Sequence, residues 1–230
     1  MPSAPRLALA AFALSSASLG ASAILLVRAP PDHLTHLTVE RLDVVGPDGQ
    51  LVLSLANGSR LPQPLIGGET LETGRAAPGL IFFDGRGWEV GGLIYQTGEP
   101  GGPVDAGAHL SFDQYRNDQV VVLDYRDDGS TRSAGLHILD RAREPDLVEL
   151  IAIEKRLERA TPAERAAAEK QLEHVAAERI FVGSKDETAS VRLSDRAGNE
   201  RVRIVVDPSG DARMEFLDAA GAVVERIPRE

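Results

Sequence analysis

The residues of this sequence best suited to chemistry are acidic side chains set among amides and aromatics. The stretch Leu110-Ser111-Phe112-Asp113-Gln114-Tyr115-Arg116-Asn117-Asp118-Gln119-Val120 places two aromatics with Asp, Gln, Asn and Asp between apolar runs. An aromatic surface fringed by hydrogen-bonding groups suits a sugar or a peptide. Phe112, Asp113, Gln114, Tyr115, Asp118 and Gln119 are therefore the candidate ligand-binding residues, with a plain hairpin and polar turn as the competing explanation. Glycoside hydrolysis would need two carboxyl groups about 5 to 10 Å apart. Asp84, Glu89, Asp113, Asp118 and Asp124 qualify by type. The sequence selects no pair among them, so no catalytic residue is assigned.

Other chemistries find less support. A nucleophile elbow needs Gly-x-Ser-x-Gly, and the nearest stretch, Asn57-Gly58-Ser59-Arg60, lacks the second glycine. No Gly-x-Gly-x-x-Gly or phosphate loop occurs. His33 and His36 are three apart but have no third ligand nearby, and His109 and His137 fall in related strand sequences; with His174 they read as structural. The turns Asp195-Arg196-Ala197-Gly198, Asp207-Pro208-Ser209-Gly210 and Asp218-Ala219-Ala220-Gly221 superficially resemble calcium loops. Calcium loops, however, alternate oxygen ligands and end in a bidentate carboxylate. Asp capping a tight turn and Gly supplying a positive φ explain these turns without a metal. No metal and no cofactor is expected.

With 35 acidic and 25 basic residues the formal net charge is −10, which disfavours nucleic acid and anionic lipid as partners. The absence of cysteine removes disulfides, thiolate metal sites and a thiol nucleophile. A hydrophobic content of 43% is enough for a packed core, while 22 glycines and 14 prolines favour short strands and turns.

The elements that would position the candidate residues are mostly strands. Residues 37–45 alternate apolar and polar at period two, Pro47-Asp48-Gly49 turns the chain, and residues 51–55 return it as a hairpin. Residues 57–78, rich in Pro and Gly, read as a long loop. Strands follow in residues 78–84, 91–95, 107–113, 119–125 and 134–140. Residues 144–178 break the pattern as a helical hairpin. Leu147, Leu150, Ile151, Ile153 and Leu157 form its first stripe, and Leu172, Val175 and Ala176 lie in its second. Thr161, Pro162 and Glu164 form a capping box at the start of the second helix. Five more strands then alternate with the three Asp-x-x-Gly turns in a repeat with glycines 12 and 11 residues apart.

Residues 7–27, LALAAFALSSASLGASAILLV, carry no charge. As a helix they would span about 30 Å, the thickness of a bilayer core. They read as a membrane anchor, with a cleaved signal peptide ending near Ala21-Ser22-Ala23 as the alternative. The short leading tail places the folded part outside the cytoplasm.

Val39-Glu40-Arg41 with Pro47-Asp48-Gly49, Gly79-Leu80-Ile81-Phe82, Gly91-Gly92-Leu93-Ile94, Phe112-Asp113-Gln114-Tyr115 with Asp118-Gln119-Val120-Val121, and Ala134-Gly135-Leu136 with Asp140-Arg141 resemble a family of uncharacterised bacterial membrane-anchored or exported β-rich proteins. The resemblance covers roughly residues 37–141 and implies no known activity. The expectation is a mainly β fold of antiparallel hairpins and meanders, with an N-terminal transmembrane helix and an inserted helical hairpin. Its divisions are residues 1–28 as anchor or signal, 29–36 as tether, 37–143 as β domain, 144–178 as helical hairpin and 179–230 as meander. The expected role is a non-catalytic, membrane-tethered cell-envelope protein that binds an envelope protein or polymer, self-associates or serves structurally. The alternative is an envelope hydrolase acting on a glycan through paired carboxylates. If the segment is cleaved, the product would be periplasmic or secreted.

Overall fold

A computed structural model describes residues 34–98, 101–172 and 175–228. The proposed anchor, residues 7–27, lies outside the described residues, as do His33 and His174. The chain divides into an amino-terminal unit, Met1–Val39, and a folded unit, Glu40–Glu230. Among the described residues no helix is long and apolar enough to cross a membrane.

The folded unit is mainly β, with one large antiparallel sheet and two short helices. Twelve strands join in a single sheet in chain order: β1 (Arg41–Val45), β2 (Leu51–Ala56), β5 (Gly79–Phe83), β6 (Glu89–Thr97), β7 (Ala106–Asp113), β8 (Gln119–Asp127), β9 (Arg132–Arg141), β10 (Ala176–Lys185), β11 (Thr188–Ser194), β12 (Glu200–Val206), β13 (Ala212–Leu217) and β14 (Val223–Ile227). Two short strands, β3 (Leu65–Ile66) and β4 (Glu69–Thr70), pair separately inside residues 57–78. Helices α1 (Leu147–Leu157) and α2 (Pro162–Leu172) connect β9 to β10.

Several expected boundaries shift. The first strand begins at Arg41 rather than residue 37, and the long loop contains the β3–β4 hairpin. Val175 and Ala176 were expected in the second helix, yet Ala176 opens β10 opposite Arg141, and Ala142 N–H donates to the Val175 carbonyl. Pairing with a strand distant in sequence overrides the helical preference of this alanine-rich stretch. That pairing also makes the sheet continuous across the helical insertion. The early strands and the carboxy-terminal meander are therefore parts of one sheet.

The turn chemistry is as expected from the sequence. In Asp195–Gly198, Asp207–Gly210 and Asp218–Gly221, the aspartate carboxylate accepts backbone N–H groups two and four residues on. The closing glycines have φ of 84°, 90° and 80°, a region costly for other residues. Asp84 builds the same turn, accepting from Arg86 and Trp88 N–H. At one end of the strands, alternate pairings each skip a residue: Val52, Val90, Val120, Arg179, Arg201 and Val224. Such bulges sharpen twist and re-aim the neighbouring side chains.

Register sorts the side chains into two faces, because residues directly opposite across a ladder lie on the same face. On one face Leu42, Leu55, Leu80, Leu93, Leu110 and Leu123 align across successive strands. The row continues through Leu136, Val182, Val191, Ile204, Met214 and Ile227, one residue from every strand. A parallel row two residues along runs from Val44 through Phe82, Phe112, Ile138 and Phe216 to Glu225. The opposite face is apolar over the first strands and mixed beyond them, where Val122, Phe181, Val205 and Leu217 are buried among polar and charged side chains. Over the first strands residues 57–78 fold back across it, and Leu61 joins Ala56, Ile81 and Phe83 in the buried core, with Leu51, Leu65 and Ile94 against it. Gln63 fastens this segment: its amide NH₂ donates to the Arg75 carbonyl, and its carbonyl accepts from Thr73 N–H and hydroxyl and from Arg75 N–H.

Candidate functional site

The carboxylates singled out by the sequence converge in part. Asp113 lies at the end of β7, at the β7–β8 bulge. Its Oδ1 is buried and has no hydrogen-bond partner. Burial pushes its carboxyl up to about 7, with a further push from the negative charges of Asp118 and Glu89 and a partial offset from Arg141 and Arg75. Both neighbouring carboxylates are already engaged. Arg75 binds Glu89 through two nitrogens at 2.9 and 2.7 Å, and Arg141 binds Asp118 at 2.8 Å. Asp113 is thus the carboxyl of the group left without an arginine and able to stay protonated near neutral pH. Asp84 is held in its own turn, where Arg86 lies 2.6 Å away.

The other candidate ligand-binding residues do not gather on one surface. Phe112 is 50% exposed on the apolar face, stacked against Phe82 with ring centroids 6.2 Å apart. Tyr115 sits at the tip of the β7–β8 turn, where its hydroxyl accepts from Arg86 at 2.8 Å and its ring lies beneath the Arg86 guanidinium. Gln114 donates its side-chain amide to the Ala142 carbonyl, as does Asn117, which sequence reasoning had not singled out. Arg116 completes this junction by pairing with Asp146 at 2.6 Å and accepting Leu147 N–H on its carbonyl. The polar residues of the turn thereby fasten it to the chain entering α1. Gln119 gives its backbone carbonyl to Arg141.

Across the middle of the same polar face His137 bridges two strands' carboxylates, with Nδ1 2.5 Å from Glu178 and Nε2 3.3 Å from Asp124. His109 sits opposite Asp124 in a shallow groove of about 220 Å³, and its Nε2 is buried without a partner. The two histidines share a face but lie in adjacent rows. Towards β14, Glu215 is fully enclosed beneath Arg203, Arg213 and Arg226. The hydrogen bond from Arg203 leads the effects that lower its carboxyl below the usual range, against the desolvation that raises it. Among the described residues no group of three or more His, Asp or Glu is arranged to hold a metal ion.

The opposite face carries what sequence reasoning missed. Leu55, Leu93, Leu123, Val182, Ile204 and Ile227 lie in one row and stay exposed, as do Tyr95, Tyr125 and Val206 beside it. Leu123, near the middle of the sheet, is 52% exposed. The period-two alternation that signals a half-buried strand was visible. A single strand cannot report that the same face stays open in every strand. Exposed apolar patches larger than a few hundred Å² mark interaction surfaces. No family model, curated protein or solved structure matches this chain.

Proposed function

We propose that this protein is a non-catalytic scaffold of the bacterial cell envelope, tethered by residues 7–27, that docks an apolar partner surface on the open face of its sheet. The observation that carries this reading is the row of apolar side chains, one per strand, crossing twelve strands and exposed to solvent on seven of them. A sheet that buries only one side of its first strands leaves this surface to an external partner, since water contact with it is unfavourable. The polar face supports the same division of labour: its charged groups are engaged in ion pairs that hold strands together. A photo-crosslinking residue placed at Leu193, 41% exposed on the apolar face, is expected to give adducts in intact cells. One placed at Gln96, exposed on the other face, is expected to give few. Equal yields from both positions, or none from Leu193, would overturn the docking face. Protease added outside intact cells, digesting the folded unit while cytoplasmic proteins survive, tests the outward orientation.

One observation favours a second reading. Asp113, with its carboxyl raised to about 7, has the protonation state of a general acid, as an envelope glycan hydrolase would require. That reading needs a free second carboxylate. Of its two carboxylate neighbours, Glu89 gives both oxygens to Arg75 and Asp118 is paired with Arg141. Release of reducing ends from cell-wall glycan by the purified chain, lost on Asp113→Asn, would favour the hydrolase. No release from any glycan substrate would leave the scaffold.

A further inference from the structure

We infer that the partner of the apolar face is a second copy of this chain, stacked face to face so that two single-layer sheets become a sandwich. The inference rests on the docking reading above and names the occupant. Four observations carry it.

The first is area. Eleven strand spacings of about 4.8 Å make the apolar face roughly 50 Å wide, and three rows of side chains make it roughly 15 to 20 Å deep. That is about 800 to 1,000 Å² per copy. Pairing two such faces would bury roughly 1,600 to 2,000 Å², within the range of stable protein interfaces.

The second is charge. The chain carries a net −10, which would keep two copies apart if it were spread over both faces. In the two central rows Glu225, in the last strand, is the one charged residue. The third row, through Tyr95, Ala108, Tyr125, Ala134, Ser184 and Val206, has none. Most other charges of the strands lie on the polar face, while Asp127, Arg132 and Asp140 share the apolar face near the strand ends, beyond these three rows.

The third is shape. The apolar rows extend from β1 to β14, and among the described residues no helix or loop rises through them, so a twisted sheet meets an identical one. Two sheets of the same twist pack aligned, about 10 Å apart, with interdigitating side chains. A two-fold axis along the middle strands makes such a contact self-complementary and closed.

The fourth is the distribution of size along the row containing Phe112. Gly91 lies between Phe82 and Phe112, and Val121 and Ile138 follow. A two-fold axis parallel to the strands, between β8 and β9, would set Gly91 against Leu193 and Phe82 against Val202. Large side chains then meet small ones at these two positions, while Phe112 meets Ile180 and Phe216 meets Leu53.

The absence of cysteine makes the test clean, because one introduced thiol is the sole labelling site. The full-length chain would be placed in lipid nanodiscs and its copy number measured by mass. The expected result is two copies for the natural sequence and one for Leu123→Glu, a shift on the order of a hundredfold in association because a charge would be buried unpaired. Leu123 is half exposed in the single copy, so the substitution does not require unfolding, and Ile204→Glu on the far half of the sheet should repeat the effect. An unchanged far-ultraviolet circular dichroism spectrum checks that both variants fold. In parallel, Leu123→Cys should join two copies through a short bis-maleimide, and Gln96→Cys on the polar face should not. Two copies that persist in both glutamate variants would place the contact elsewhere and overturn the sandwich. A single copy whose Leu123→Cys thiol is nevertheless shielded by bilayer lipid or a co-purified protein would overturn self-pairing and leave the docking face standing. A single copy whose Leu123→Cys reacts as fast as Gln96→Cys would overturn both.

Discussion

Asp113 keeps its proton to about pH 7 because its carboxyl is partly withdrawn from water beside two other carboxylates, and the arginines there bind those neighbours instead. An unfolded aspartate titrates near pH 4. Between about pH 4 and 7 the folded state therefore holds a proton that the unfolded state releases, so stability falls as pH rises through that window and levels off above it. Asp113→Asn removes the slope. At pH 8 the variant should be more stable than the natural chain by about 1 to 2 kcal/mol, the cost of ionising a carboxyl raised to about 7, reduced by the solvent that reaches the site. Urea unfolding at pH 5 and pH 8, followed by the fluorescence of Trp88, the single tryptophan, measures it. A slope that survives the substitution would assign the proton to another group. The sequence named Asp113 and its acidic neighbours but could not rank them, since the ranking depends on which carboxylates Arg75 and Arg141 reach across the fold.

At the scale of elements, close approach and capping make separate demands. Gly135 in β9 faces the ring of Phe181 in β10, and a Cβ there would lie 2.4 Å from the ring. Gly135→Ala should therefore cost about 1 to 3 kcal/mol by overpacking. Phe181→Leu in the same chain should recover part of that loss, giving a coupling readable in a double-mutant cycle of denaturation midpoints. Helix α1 begins at Asp146, whose carboxylate accepts Glu149 N–H while Glu149 accepts Asp146 N–H. The same carboxylate pairs with Arg116. Asp146→Ala should weaken the helix start by about 1 to 2 kcal/mol. Because α1 is joined to the turn at Arg116 rather than hydrogen-bonded into the sheet, faster amide exchange should be confined to residues 147–157 and that turn. The capping box at Thr161 and Glu164 was legible from spacing, and the structure forms it. The one at Asp146 has the same spacing but follows Pro145 in a stretch without a clear helical start.

At the scale of the whole molecule, β1 and β14 are the outermost strands of the sheet among the described residues, and its inner strands are bonded on both sides. Protection should therefore rise from the edges towards the middle. Amide exchange is expected to be fastest in Arg41–Val45 and Val223–Ile227 and slowest in β7 to β10, where residues 106–141 and 176–185 pair most extensively. Uniform protection from edge to edge would mean that the sheet opens only as one cooperative unit. The ion pairs of Glu215 with Arg203 and Arg226 fasten β13 to β12 and to the edge strand β14. They supply side-chain links where backbone pairing is thinnest.

Taken alone, the sequence determined the features that depend on near neighbours. It set the mainly β class, the Asp-x-x-Gly turns, the position of both helices and the Thr161 cap, because turn and cap geometry is decided within four residues of the chain. Only the tertiary structure decided the long-range pairings. It joined Ala176–Lys185 to Arg132–Arg141 across the helices, brought Arg75 to Glu89, and aligned one apolar residue of every strand in a single open row. A two-residue strand period says which side chains share a face within a strand. It takes the register of neighbouring strands to say that those faces coincide, and the path of residues 57–78 to say that they cover one side and leave the other bare.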